Sequence, residues 1–186
     1  MGDVIAFGGR VLEKTDFAKY KNTRETMVFN KSRTLYNINQ IKKLKQGAGL
    51  KDLIVVEGYM DTLSLVQAGF PNVVASMGTS LTKDQARLAK RYADNVYISY
   101  DGDFAGQKGA VRGLEILRDE QVNVRVVPLP DGQDPDDVIK TAGHDGYAQC
   151  LDSAMPLIDF KLEIARRKYD LTKTEDKRNY IAEALG

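Results

Sequence analysis

Acidic side chains follow three apolar runs of this 186-residue chain. Each run is a predicted strand of a parallel sheet, and the carboxylates lie just after it, at residues 57–61, 101–103 and 131–137. Ligands of an open parallel sheet bind beyond the carboxyl ends of its strands, so the three clusters should converge on one edge. The sequence therefore predicts an acidic site at that edge.

Asp101 and Asp103 are two residues apart, so both carboxylates project the same way if the extended backbone continues for one more step. Gly102 between them would let a ligand approach the backbone. Carboxylates packed together repel each other unless a divalent cation supplies positive charge. Hard oxygen ligands without His or Cys favour Mg²⁺ or Mn²⁺, which substrate phosphates commonly help to hold. The pattern thus indicates phosphoryl or nucleotidyl transfer.

Taken singly, each acidic motif has an ordinary structural explanation. An isolated DGD sequence is usually a solvated turn. Glu57 could simply favour the start of a helix, and residues 134–136 form a common cap before a helix. Their joint placement after successive strands of one sheet is what favours a functional site.

The composition limits the classes of protein to which the chain can belong. The 27 Lys and Arg residues balance 26 Asp and Glu residues, so attraction for nucleic acid must come from local clusters. Cys150 and His144 are the only residues of their types, which excludes a Cys/His zinc site and a disulfide within the chain. No apolar run approaches the ~20 residues of a membrane span. We therefore expect a soluble protein of the reducing cytoplasm.

A regular alternation of strands and helices follows a basic, strand-rich start. The start holds predicted strands at residues 4–12 and 26–29 and an amphipathic helix at residues 35–46. Continuous apolar strands are predicted at residues 53–56, 73–75, 96–100 and 124–127. Helices are predicted at residues 60–68, 82–92 with Thr82 as N-cap, 105–118, 136–141, 146–152, 157–169 and 176–185. Buried strands joined by such helices indicate an α/β fold, with a parallel sheet covered on both faces.

The residues at these strand ends resemble the Toprim domain, which is shared by primases, topoisomerases of types IA and II and some nucleases. The resemblance is carried by EGYMD at residues 57–61 and DGD at residues 101–103, each after an apolar strand. Six further segments are similar to the DnaG-type primases of bacteria: IAFGGR at 5–10, KYKN at 19–22, FNK at 29–31, MGTSLT at 77–82, AGQK at 105–108 and LPDGQDPD at 129–136. The resemblance covers nearly the whole chain and departs from the family at residues 21–24 and at Phe104.

The resemblance implies roles for individual residues. The catalytic metal ligands would be Glu57, Asp101 and Asp103, holding Mg²⁺ or Mn²⁺ in a two-ion site. A secondary acidic set would consist of Asp61, Asp134 and Asp136. Residues that would contact the nucleotide or the template are Arg10, Lys19, Asn22, Lys31 and Lys108. Judged without the family, such cations are more often solvated surface charges. Tyr20 and Tyr59 could stack on bases, although tyrosines beside strands usually serve in packing.

The resemblance also implies the domain organisation and the activity. Residues 1–48 would be part of the basic N-terminal lobe of the polymerase core, residues 49–142 a Toprim domain, and residues 143–186 the start of a helical subdomain. We expect a fragment of a longer protein, because Met1 directly precedes a turn that enters a strand and residues 177–186 still show a helical apolar pattern. This monomeric primase core would join ribonucleoside triphosphates into RNA primers on single-stranded DNA in the bacterial cytoplasm. It would meet the replicative helicase through a region outside this chain.

Three alternatives stay open at this point. The chain could be another Toprim enzyme, either a topoisomerase or a nuclease, or a non-catalytic module that binds single-stranded DNA or docks a helicase. A topoisomerase needs a nucleophilic tyrosine, and nothing in the sequence marks one. Cleavage of plasmid DNA with Mg²⁺ would identify a nuclease. DNA binding that survives chelation, without nucleotide incorporation, would identify the module.

Overall fold

The computed structural model describes residues 3–11, 20–47, 49–77 and 80–185, without the side chains of residues 104 and 183–185. Its first element is an antiparallel hairpin of two short strands, β1 (Gly8–Arg10) and β2 (Tyr20–Asn22). A single 3-10 turn at Lys31–Arg33 and helix α1 (Ile38–Gly47) follow. We call the hairpin and the 3-10 turn together the basic lobe.

Four parallel strands form the central sheet. They are β3 (Asp52–Val56), β4 (Val73–Ala75), β5 (Asn95–Ile98) and β6 (Asn123–Val126). Their order across the sheet is β4-β3-β5-β6. The chain therefore continues from β3 to β4 on one side of the sheet and from β5 to β6 on the other. The strand order therefore reverses between β3 and β5, and this is the place where an open α/β sheet forms a ligand crevice.

Six further helices follow α1 along the chain. They are α2 (Tyr59–Gln67), α3 (Lys83–Lys90), α4 (Phe104–Asp119), α5 (Pro135–Asp152), α6 (Leu157–Lys168) and α7 (Thr174–Leu185). Helix α5 contains a break at Gly143, where φ is 66° and ψ is −165°. The break lies between the two helices predicted at residues 136–141 and 146–152. Every helix of the described residues is too short or too polar to cross a membrane.

Alternate residues of β3 face opposite sides of the sheet, as the period of a strand requires. Leu53 and Val55 belong to the core that includes α4, whereas Ile54 and Val56 belong to the core that includes α2 and α5. All four residues are buried. Helices thus cover both faces, and the predicted α/β fold is confirmed.

The basic lobe docks on the start of helix α3 through polar contacts. Gln85 of α3 is fully buried, and its amide donates hydrogen bonds to the carbonyls of Lys31 at 3.0 Å and Thr34 at 2.9 Å. Thr82, the predicted N-cap of α3, accepts from the Gln85 backbone N–H at 3.1 Å and also donates to the Ser32 carbonyl. These contacts fix the 3-10 turn, and Lys31 with it, beside the sheet.

Four predicted elements differ from the structure, among them the strand predicted at residues 96–100, which is β5 at Asn95–Ile98. Residues 26–29 form a tight turn instead of a strand, because the Thr26 and Phe29 backbones bond to each other at 2.9 Å. The helix predicted at residues 35–46 begins at Ile38, because Tyr36 pairs with Ala75 at the edge of β4 and Asn37 has φ 68°. Within the described part of residues 4–12, only Gly8–Arg10 is a strand.

Candidate active site

A cleft of about 570 Å³ lies at the carboxyl ends of β3 and β5, where the strand order reverses. The basic lobe forms its opposite wall. Eight of the predicted site residues line it: Arg10, Asn22, Lys31, Glu57, Asp61, Asp101, Asp134 and Asp136. Acidic strand ends and lobe cations, distant in sequence, therefore share one cavity.

Glu57 is placed by β3, which ends at the preceding residue. Its carboxylate accepts a hydrogen bond from the backbone N–H of Asp101, so the two acidic loops are in direct contact. Burial raises the pKa of Glu57, and the nearby negative charges of Asp101 and Asp103 raise it further. A cation bound to Glu57 would compensate for this burial and repulsion and would favour the ionised carboxylate.

Asp61 lies in the first turn of α2, where its carboxylate accepts from the Gly58 backbone N–H at 3.1 Å. The residue is only 8% exposed. Burial raises its pKa to about 7, and Asp134 and Asp101 contribute to the rise. At neutral pH the cleft therefore holds a carboxyl group that is only partly ionised.

The turn from Asp101 to Asp103 is shaped by close packing. A Cβ on Gly102 would lie 2.3 Å from the Pro130 carbonyl oxygen, and the Gly102 N–H donates to the Gln133 carbonyl at 2.9 Å. The expectation that Gly102 admits a ligand is therefore wrong, since the loop after β6 occupies that space. Gly102 lets two protein loops meet instead.

Asp103 differs from Asp101 in what its carboxylate contacts. It is the N-cap of α4 and accepts from the Gly106 backbone N–H at 2.7 Å. It does not line the cleft, although its charge reaches Glu57. The extended backbone that would align both carboxylates ends with β5 at Ile98. Asp101 thus faces the cleft, whereas Asp103 is engaged at the helix terminus beside it.

The start of α5 supplies the third acidic group. Asp134 is the N-cap and accepts from the Asp137 backbone N–H at 2.7 Å. Asp136 accepts hydrogen bonds from Ser64 and from Lys140. Burial works to raise the pKa of Asp136, but the bonds from Lys140 and Ser64 outweigh it and the pKa is lowered. Asp136 is therefore fully ionised and already has a protein counterion.

The predicted cations occupy different positions. Arg10 and Lys31 line the cleft from the basic lobe, as does Asn22, whose amide donates to the Met77 carbonyl at 3.5 Å. Lys108 is exposed on α4 and does not line the cleft. Lys19 lies outside the described residues. Lys140 also lines the cleft and was not predicted, although its spacing of four from Asp136 on one helix was a usable signal.

The oxygen atoms that this cleft offers to a divalent cation belong to carboxylates of Asp and Glu. Among the described residues, no three Asp, Glu, His or Cys side chains are already gathered as a ready-made metal cluster. The donor set nevertheless fits a hard cation, because it consists of carboxylate oxygens, and burial together with neighbouring negative charges raises the pKa values of Glu57 and Asp61. The absence of a cluster agrees with the occupation of Asp103 at its helix cap and of Asp136 by Lys140.

The fold and this acidic cleft define a Toprim-like protein. The family model described as Toprim-like matches residues 54–139, and the model described as the N-terminal domain of the DNA primase catalytic core matches residues 1–42. The first match contains the residues of the acidic wall of the cleft, and the second contains the basic lobe that forms the opposite wall.

Proteins that match nearly the whole chain are DNA primases. A DNA primase of Clostridium acetobutylicum is 43% identical over 97% of this chain, which spans 30% of that protein. The solved zinc-binding and RNA polymerase domains of the Aquifex aeolicus primase are 37% identical with a TM-score of 0.79, covering 98% of this chain and 44% of theirs. A DnaG primase catalytic domain bound to single-stranded DNA is 36% identical with a TM-score of 0.78, covering 97% of this chain and 59% of that one.

The chain belongs to the bacterial DnaG-type DNA primase family and corresponds to part of its catalytic core. It spans about a third of the length of the curated relatives that it matches. The resemblance found in the sequence is thereby confirmed, and none of these relatives favours the topoisomerase, nuclease or non-catalytic alternatives.

Proposed function

We propose that this chain forms part of a catalytic centre that joins ribonucleoside triphosphates into short RNA primers on single-stranded DNA. The observation that carries the proposal is the single cleft in which carboxylates from β3 and β5 face cations of the basic lobe. A nucleoside triphosphate with its divalent cation carries both signs of charge, so it complements both walls. The relative bound to single-stranded DNA supports a DNA template as a partner.

We further propose that Glu57, Asp101 and Asp103 hold Mg²⁺ or Mn²⁺, with two ions in the complete site, and that Asp61, Asp134 and Asp136 form an outer acidic set. Divalent metal use is general in the Toprim family, and the oxygen donors of this cleft fit it. When bound, such ions supply charge neutralisation at the triphosphate and a lowered pKa of the attacking hydroxyl. Asp103 would join the set by releasing its helix cap.

The remaining polar residues would bind and orient the substrate. Arg10 and Lys31 would attract phosphates of the nucleotide or the template from the opposite wall. The hydrogen bond from Lys140 keeps Asp136 ionised. If Asp136 instead bound a metal ion, Lys140 would be released to contact a phosphate. Asn22 orients the hairpin through Met77. Lys19 and Lys108 stay predictions as template contacts.

The wider assignments belong to this proposal as well. We divide the chain into a lobe at residues 1–48, a Toprim domain at 49–142 and the start of a helical subdomain at 143–186, supported by the break at Gly143. The proposed setting is a monomer in the bacterial cytoplasm that meets the replicative helicase through residues outside this chain.

Primer synthesis on single-stranded DNA tests the function, with Mn²⁺ binding as a second measurement. Glu57→Ala and Asp101→Ala should abolish synthesis and weaken Mn²⁺ binding without loss of helical circular dichroism. Asp119→Ala is the matched control, because Asp119 lies exposed at the end of α4, outside the cleft, where it pairs with the exposed Arg118. Full synthesis by either cleft variant would refute the assignment.

A further inference from the structure

Tyr59 connects the acidic wall of the cleft to the basic lobe. It is the first residue of α2 and follows Glu57 by two positions. Its ring makes edge-to-face contacts with Tyr20 of β2, at 5.8 Å between centroids, and with Tyr36, at 5.2 Å. Of the two roles considered for Tyr59, base stacking and packing, packing is the one that its ring performs here, because its neighbours are other tyrosines.

The same ring packs against the backbone of β1. A Cβ built on Gly8 would lie 2.7 Å from the Tyr59 Cζ atom and 2.8 Å from its hydroxyl oxygen. Since Tyr20 and Tyr36 contact the ring as well, it has little freedom to move aside. Gly8 is thus the residue that lets the hairpin approach Tyr59.

The contacts continue to a cation of the cleft. The Arg10 guanidinium lies over the Tyr20 ring, 5.8 Å from its centroid. Arg10 and Tyr20 are also directly opposite each other in the hairpin. The order Arg10, Tyr20, Tyr59 therefore leads from a cation of the basic lobe to the helix that begins beside Glu57.

The ring of Tyr59, and not its hydroxyl, makes the edge-to-face contacts with Tyr20 and Tyr36. The hydroxyl oxygen is buried and has no hydrogen-bond partner among the described residues. A buried hydroxyl without a partner destabilises a fold, whereas an aromatic ring in edge-to-face contact stabilises it. Phenylalanine would consequently serve as well as tyrosine at this position.

We propose that Tyr59 is a positioning residue that sets the distance between the phosphate-binding hairpin and the metal-binding carboxylates. Its ring holds the hairpin, with Arg10, against the start of α2, so that both walls act on one triphosphate. The inference rests on the proposed function of the cleft. Tyr59 itself touches no reacting atom in this scheme.

Three variants test the inference, with kcat, the KM for nucleotide and the Kd for Mn²⁺ as measurements. Tyr59→Leu removes the ring, and Gly8→Ala pushes the hairpin away while the ring remains. Both should raise the KM by about tenfold, as expected for the loss of one or two ring contacts, with Mn²⁺ binding within about twofold of the original. Tyr59→Phe should behave like the original chain. Gly9→Ala is the matched control, because the nearest atom to its added Cβ is 4.0 Å away.

Hydrogen exchange of the hairpin amides separates this inference from the function on which it rests. Tyr59→Leu and Gly8→Ala should speed exchange in β1 and β2 by about tenfold, whereas Tyr59→Phe and Gly9→Ala should not. This measurement needs no catalytic activity, so an inactive original chain would refute the function alone. An unchanged hairpin and KM in Tyr59→Leu would overturn the inference, as would a Tyr59→Phe variant as impaired as Tyr59→Leu.

Discussion

Asp61 should make the stability of the metal-free protein fall as the pH rises. Its pKa is about 7 in the folded chain against an ordinary value of 3.8, chiefly because the carboxyl is buried. Below about pH 4 it is protonated in both states and the fold is unaffected. Between pH 4 and pH 7 the folded state keeps a proton that the unfolded state has lost, so the free energy of unfolding decreases with pH. Above pH 7 that contribution is gone.

The size of the effect follows from the shift. A rise of about 3 pKa units at roughly 1.4 kcal/mol per unit gives about 4 kcal/mol between pH 4 and pH 8, as an upper limit. Asp61→Asn removes the charge and can still accept the hydrogen bond from the Gly58 N–H. We therefore expect the variant to be more stable than the original at pH 8 by about 2–4 kcal/mol and to lose the advantage near pH 4.

Urea denaturation in EDTA, followed by circular dichroism at several pH values from 4 to 8, measures this difference. Asp119→Asn, on the exposed end of α4, is the control and should follow the original chain at every pH. Adding Mn²⁺ at pH 8 should stabilise the original more than Asp61→Asn, because a cation compensates the same charge. Parallel curves for Asp61→Asn and the original would refute the argument from burial and neighbouring charges.

Substitutions at three further positions have expected outcomes. Gly102→Ala should destabilise the fold by about 3 kcal/mol in urea, because its Cβ would lie 2.3 Å from the Pro130 carbonyl oxygen. Thr82→Ala should cost about 1–2 kcal/mol in the same assay, since Thr82 both caps α3 and bonds to the basic lobe, while Thr82→Ser should retain most of the stability. Lys140→Gln should raise the pKa of Asp136 in an NMR titration of its carboxyl, and an unchanged pKa would show that the pair does not form.

The regular elements could be predicted because their signals are local. Strand β4 lies at the predicted residues 73–75, and Thr82 caps α3 as its hydroxyl and position suggested. The gap between two predicted helices became the break at Gly143. Apolar runs, caps and glycines act within a few residues, so they are legible in one sequence.

The contacts that complete the cleft could only partly be predicted. Asp103 precedes a helix as Asp134 does, so its cap was a readable local signal that a metal-based interpretation passed over. The packing of Gly102 on Pro130 and of Gly8 on Tyr59 joins segments far apart in the chain. No local pattern encodes such pairs, because the approach of two loops depends on how the whole sheet is assembled.

Strands β3 and β5 are neighbours, yet the chain leaves them toward opposite faces of the sheet. The loops that carry Glu57 and Asp101 are in hydrogen-bond contact but are anchored by different helices, α2 and α4. Repacking or lengthening a connection on one face would reshape one side of the cavity and leave the other side in place. This architecture therefore allows new chemistry to evolve on one flank at a time, around a fixed pair of acids.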